Sequence, residues 1–200
     1  TWTELLADSW IIASGSEAES SDGTVRAESY RTDDWGDEGV TKVFQTRDGK
    51  EELLYQFDWF AHGMIIENLP GGIALVRFNG WPRGMFASHE ELGVEFYRGQ
   101  ELLRRYSTLD LAGSSNAPSA SVSHHRVIAK TSKVNLGPRT GRYELRVRKL
   151  DGWDIFFDVQ TGKALTGNDQ FLEVRESDWF KENRRWAASE ANSRAICAGD

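Results

Sequence analysis

The segment from Tyr143 to Val159 limits the possible folds more than any other. Tyr143, Leu145 and Val147 alternate with Glu144, Arg146 and Arg148; past Asp151-Gly152, Trp153, Ile155, Phe157 and Val159 alternate with Asp154, Phe156 and Asp158. Period-two alternation on both sides of an Asp-Gly is the pattern of a β-hairpin with one buried face. A two-residue Asp-Gly loop would set Val147 opposite Phe156 and Leu145 opposite Asp158, which mixes the faces. A three-residue loop, Leu150-Asp151-Gly152 with Gly152 left-handed, sets Val147 against Ile155, Leu145 against Phe157 and Tyr143 against Val159. A one-residue slip would turn an apolar set into water, so the second register is the expected one. Thr161-Gly162-Lys163 reads as the next turn.

Two other stretches follow the same rule. In V-F-Q-T-R-D-G-K-E-E-L-L-Y-Q-F, from Val43 to Phe57, it places Arg47-Asp48-Gly49 in the loop and Val43 opposite Leu53. In V-E-F-Y-R-G-Q-E-L-L-R-R-Y, from Val94 to Tyr106, it places Tyr97-Arg98-Gly99 in the loop and Val94 opposite Leu102. Gly49, Gly99 and Gly152 stand about fifty residues apart, the spacing of repeated β-meanders. Glycine turns also recur in any all-β chain.

Between these hairpins, Ser14–Gly23 reads as a polar loop, Thr24–Tyr30 as a strand and Asp33–Gly39 as an acidic loop. Pro70-Gly71 is a type II turn signal between two strands. Ala112–Ser119 is a linker or an internal loop, and Val122–Val134 is strand-like. Thr1–Ala13 fits a first strand or a short helix. Only the end of the chain reads as helical: residues 178–196 are mostly helix formers, with Ser177 as N-cap and Gly199 just past the end. The expected architecture is one mainly β domain over 1–200, antiparallel hairpins with a C-terminal helix.

The stretches D-G-K-E-E-L-L, R-G-Q-E-L-L-R-R-Y and D-V-Q-T-G-K-A-L resemble blade hairpins of bacterial propeller-type proteins, WD40-like or quinoprotein-like. That resemblance implies a small propeller of about four blades at most, with a sandwich or open barrel as the alternatives. The closing Trp-Asp after a Gly-His is absent, and no catalytic residue carries over.

Charge excludes some functions. The chain has 31 acids against 24 bases, a net charge of -7. A nucleic-acid or anionic-membrane binder would show a basic stripe, whereas Arg104-Arg105 and Arg184-Arg185 are short and flanked by acids. No apolar run approaches the roughly 18 residues of a membrane span. Cys197 is the only cysteine, so no internal disulfide and no cysteine-rich zinc site is expected. The chain starts without methionine and without a signal-peptide pattern, which fits a processed form or a trimmed chain; the compartment stays open, with a lean to export that also draws on the Trp/Ser/Asn/Gly-rich loops.

Chemistry is thinly marked. His62, His89, His124 and His125 are the only histidines; His124 and His125, adjacent in a strand, point to opposite faces and do not share an ion. A zinc site would need His89 with Glu90 or Glu91 and further ligands from elsewhere. Asp33, Asp34, Asp37 and Glu38 form the best hard-cation candidate, a Ca²⁺ loop, although Trp35 and Glu38 break the EF-hand pattern. A solvated acidic turn accounts for the same residues. There is no G-x-S-x-G elbow and no P-loop or G-x-G-x-x-G. Ser121 and Ser123 neighbour His124 and His125 in sequence only. No cofactor and no catalytic residue is assigned.

Of the eight tryptophans, Trp35, Trp59, Trp81 and Trp153 each lie in or beside a turn next to Asp, Asn, Gly or Pro. Such rings stack on sugars or fill small β cores. Trp35 and Trp81, with Asp33 and Asp34, are the glycan-site candidates. Three functions follow: a non-catalytic structural or interaction module whose partner is itself or another protein, a carbohydrate-binding module, or a hydrolase built from scattered Asp, Glu and His.

Overall fold

The computed structural model describes residues 15–32, 38–79, 82–113, 119–120, 124–138 and 140–165. Two four-stranded antiparallel meanders come first. β1 (Gly15–Glu19), β2 (Val25–Arg31), β3 (Gly39–Arg47) and β4 (Lys50–Phe57) form one sheet in chain order. β5 (Gly63–Leu69), β6 (Gly72–Phe78), β7 (Leu92–Arg98) and β8 (Glu101–Ser107) form the next. A five-residue helix, α1 (Thr108–Ala112), follows, then a ladder of β9 (Ser119–Ala120) with β10 (His125–Arg126). In the third sheet, β13 (Tyr143–Lys149) is paired by β11 (Ile128–Thr131), β12 (Asn135–Leu136) and β14 (Asp154–Asp158). The fold is mainly β and antiparallel, as expected, and its sheets are open rather than closed into a barrel. Contacts divide the chain into a unit of residues 1–163 and a unit of residues 164–200; of the latter, a two-residue strand, β15 (Ala164–Leu165), is described. The helix expected at 178–196 and Cys197 lie outside the described residues.

The three sheets stack face to face. Val25, Ala27, Val43 and Phe57 of the first sheet share a core with Ile66, Leu75 and Tyr97 of the second. On the opposite face of the second sheet, Phe96 meets Phe157 of β14 with ring centroids 5.0 Å apart, and Tyr106 meets Phe157 at 5.1 Å. The Tyr106 hydroxyl donates to the Gly162 carbonyl at 2.9 Å in the turn after β14. Covered on both sides, β6 and β7 are buried over nearly their whole length, as the apolar run I-A-L-V requires. β2 and β13 alternate buried and accessible residues because each belongs to an outer sheet.

The third hairpin has the register read from its alternation: Val147 opposes Ile155, Leu145 opposes Phe157, and the Val159 amide donates to the Tyr143 carbonyl at 2.8 Å. Gly152 is left-handed, with φ at 86°. The first two hairpins differ from expectation. Arg47 pairs with Lys50, so Asp48-Gly49 alone makes the turn, at φ 51° and 73°. This type I′ geometry matches the strand twist, and glycine reaches it without a Cβ clash. Val43 then opposes Tyr55 instead of Leu53, because a bulge at Leu54 absorbs the odd residue. In the second hairpin Arg98 pairs with Glu101 around Gly99-Gln100, and a bulge at Leu103 places Val94 opposite Tyr106 instead of Leu102. In both, the face is restored within an edge strand rather than in the loop, and the bulge also discourages edge pairing.

Two further corrections concern elements. Residues 15–19, read as part of a polar loop, form β1. Its inward residues are merely small: Ser16 donates to the Ala61 carbonyl at 2.6 Å, and Ala18 packs on the core. Helix α1 falls outside the region read as helical. Ser107 caps it by accepting from the Asp110 amide at 3.1 Å, and Asp110 accepts from the Ser107 amide at 2.8 Å. This reciprocal pair is a capping box written in S-T-L-D.

Candidate functional site

Of the residues singled out for ligand or Ca²⁺ binding, Asp33, Asp34, Trp35, Asp37 and Trp81 lie outside the described residues. Glu38 is exposed, and its carbonyl accepts from the Thr32 amide at 3.2 Å. Among the described residues, no three His, Cys, Asp or Glu side chains are grouped to hold a metal. Ser121 and Ser123 also fall outside the description. Trp59, a turn residue by sequence, is half-buried instead, stacked on Phe57 at 4.6 Å and beneath the Arg77 guanidinium at 4.5 Å. Trp153 is the reverse case, 72% exposed.

The histidines are dispersed. His62 lies 3.4 Å from an Arg31 nitrogen and edge-on to Phe60. His125 is fully buried, and its Nδ1 donates to the Gly84 carbonyl at 2.9 Å, which pins the Pro82–Gly84 loop to β10. The neighbouring His124 is half-buried; burial, reinforced by the Arg83 cation, holds its pKa below the usual histidine value. His89 comes nearest to a catalytic composition, with Ser107 Oγ at 3.4 Å and Asp110 Oδ1 at 3.5 Å. Both partners, however, approach the same nitrogen, Nδ1. A relay needs the hydroxyl on one ring nitrogen and the carboxylate on the other. Here serine and aspartate are held by the capping box of α1, and the histidine lies over that cap.

A second polar cluster is buried inside the second sheet. Arg77 and Glu95 stand opposite each other on β6 and β7, 3.2 Å apart, with side chains 10% and 5% exposed. Arg77 Nε also donates to the Phe60 carbonyl at 3.1 Å, and the Tyr97 hydroxyl donates to Glu95 at 2.8 Å. Burial, then the Glu95 charge, push the Tyr97 pKa well above the ordinary phenol range. Each polar group is partnered, and Trp59, Phe57 and Tyr97 close the cluster off. This is a fastener between the first two sheets rather than a binding cleft.

The outward face of the third sheet is built differently. Arg148 and Asp154 oppose each other across β13 and β14 in a two-pronged pair, both contacts 2.7 Å, with side chains 49% and 21% exposed. Beside them Arg146 opposes Phe156, and Lys130 of β11 opposes Arg148. Phe156 is 38% exposed, and Trp153 stands at the turn with its amide donating to Asp151 at 3.1 Å. Phe156 is the apolar member of the polar half of the alternation, the one sequence signal that marked this face. Charge separates the regions in the same sense: residues 124–165 hold nine Lys or Arg against four acids, and residues 15–57 hold eleven acids against five bases. A chain that is acidic overall thus has a basic third region, and the outward face of its sheet sets Lys130, Arg146 and Arg148 around the exposed Phe156 ring, with Glu144 and Asp154 as its acids. Among the described residues, the cations and the exposed ring of this face suit recognition of an anionic surface that also has apolar groups.

The chain matches no protein family, no curated protein and no solved structure.

Proposed function

We propose that this chain is an interaction module, and that the outward face of its third sheet docks an acidic protein surface. The observation that supports this most is the conjunction of the exposed Phe156 ring with Arg146, Arg148 and Lys130 on one sheet face, outside the core. An exposed ring amid cations supplies the usual anchors of protein interfaces, an aromatic residue and arginine. Immobilised poly-L-glutamate is the direct probe, with poly-L-lysine as control. The wild type is expected to be retained on polyglutamate at low salt and released as salt screens the contact. Arg146→Glu with Lys130→Glu, and separately Phe156→Thr, should each weaken retention about tenfold or more, as loss of roughly 1.4 kcal/mol of binding would. Their circular-dichroism melting should stay that of the wild type. A wild type that does not bind, or retention indifferent to these substitutions, overturns the reading.

Glycan binding is a second reading, favoured by the 72% exposure of the Trp153 ring beside Asp151 and Asp154. It differs in being insensitive to salt. A thermal-shift panel of neutral oligosaccharides, run on the wild type and Trp153→Ser, tests it: a shift lost in the variant supports it, and no shift removes it.

A further inference from the structure

The two outer faces of the stack are unlike each other. On the first sheet the outward residues include Glu17, Glu19 and Glu28, with Tyr30 and Phe44 between them and Leu53 on the edge strand. Arg26 and Lys42 are the cations of that face, and Arg26 is engaged by both Glu28 and Glu51. Glu17 and Glu19 are exposed, Tyr30 is 45% exposed and Leu53 is 53% exposed. The face is therefore acidic with apolar groups, the chemistry that the third sheet's outward face is suited to take. Within one chain, sheets already stack face on face, first on second and second on third.

We infer that the acidic partner is a second copy of this chain, whose first sheet docks on the third sheet of its neighbour. This rests on the reading of the third sheet as a docking face. Phe156 of one copy lies against Tyr30, Phe44 and Leu53 of the next, and Arg146, Arg148 and Lys130 face Glu17, Glu19 and Glu28. Because the two surfaces differ, the contact is head-to-tail: each copy offers one acidic and one basic face, and the assembly grows beyond a pair or closes into a ring. The faces are small and the charges solvated, so association is weak and sensitive to salt.

Sedimentation velocity over a concentration series tests this on the full chain. At about 10 mM salt, where the Debye length is about 30 Å, the average mass should rise with concentration; at about 1 M salt it should return to the monomer. Arg146→Glu with Lys130→Glu removes the basic face, and Glu17→Lys with Glu19→Lys removes the acidic one. Each double variant alone should sediment as a monomer, with the circular-dichroism melting of the wild type showing that it is folded. An equimolar mixture of the two retains one good acidic and one good basic face, and should form dimers that grow no further. Mixed variants that remain monomeric while the wild type assembles would overturn the head-to-tail contact. A wild type that is monomeric at all salts but still held by polyglutamate would overturn the second copy as partner and leave the docking face standing. Loss of both would overturn the two readings together.

Discussion

Two arginine–carboxylate pairs in this molecule share one geometry and differ in nearly everything else. Arg77–Glu95 and Arg148–Asp154 each join directly opposed residues on neighbouring antiparallel strands. The outer pair has the better contacts, two at 2.7 Å against one at 3.2 Å. The inner pair is nevertheless the one on which the fold depends, because its charges have been taken out of water and the loss of either leaves the other uncompensated. In the outer pair, water substitutes for either partner. The quality of a contact and its consequence for stability are thus separate, and burial determines the second.

The largest expected effect comes from breaking the inner pair. Glu95→Ala strands Arg77 over the Trp59 ring and should cost about 3–5 kcal/mol in urea denaturation. Replacing both members, Arg77→Met with Glu95→Leu, should recover most of that loss, since no buried charge is left unpaired. If the double variant is as unstable as the single one, desolvation is the wrong explanation.

Tyr97→Phe sharpens the comparison within the same cluster. It removes one hydrogen bond to a charged group, about 1.5–3 kcal/mol. It also changes the alkaline response. Folding raises the Tyr97 pKa, so the folded state holds the proton to higher pH than the unfolded chain does. Stability from this group is complete below about pH 10, the unfolded tyrosine value, and is lost as pH rises beyond it. Tyr55, which burial pushes up to about 12, acts in the same direction. Chemical denaturation between pH 8 and pH 11 should therefore show a steeper alkaline loss for the wild type than for Tyr97→Phe.

The smallest effect on stability belongs to the outer pair, where Asp154→Asn should leave the melting midpoint unchanged. It should nevertheless raise retention on polyglutamate by a few-fold, because the carboxylate that engages Arg148 is gone. A destabilised variant with unaltered retention would reverse the contrast between the two pairs.

The contrast also tracks what could be read from the sequence. The register of the third hairpin was legible because Leu145, Val147, Ile155 and Phe157 leave one solution that keeps the faces apart. The first two hairpins contain consecutive leucines, Leu53-Leu54 and Leu102-Leu103, and either a wider loop or a bulge restores the alternation. Only the backbone decides between them, and it places the bulge in the strand. β1 was hidden because Ser16 and Ala18 bury too little to announce a face, and α1 because one turn shows no period, although S-T-L-D carried its cap. Arg77 and Glu95 sit in the apolar stretches A-L-V-R-F and V-E-F-Y, where a lone charge signals a buried partner. On the third sheet, Phe156 departed from an otherwise polar face. The significance of that departure became visible only when the register placed it opposite Arg146 and one pair away from Arg148 and Asp154.

Hydroxyl-radical footprinting of single side chains, with and without polyglutamate at low salt, tests the docking face most directly. Phe156 should become protected when polyglutamate is present, while Met85, 48% exposed in the loop after β6, keeps its labelling rate. Unchanged labelling of Phe156, or equal protection of Met85, would contradict the assignment of this face.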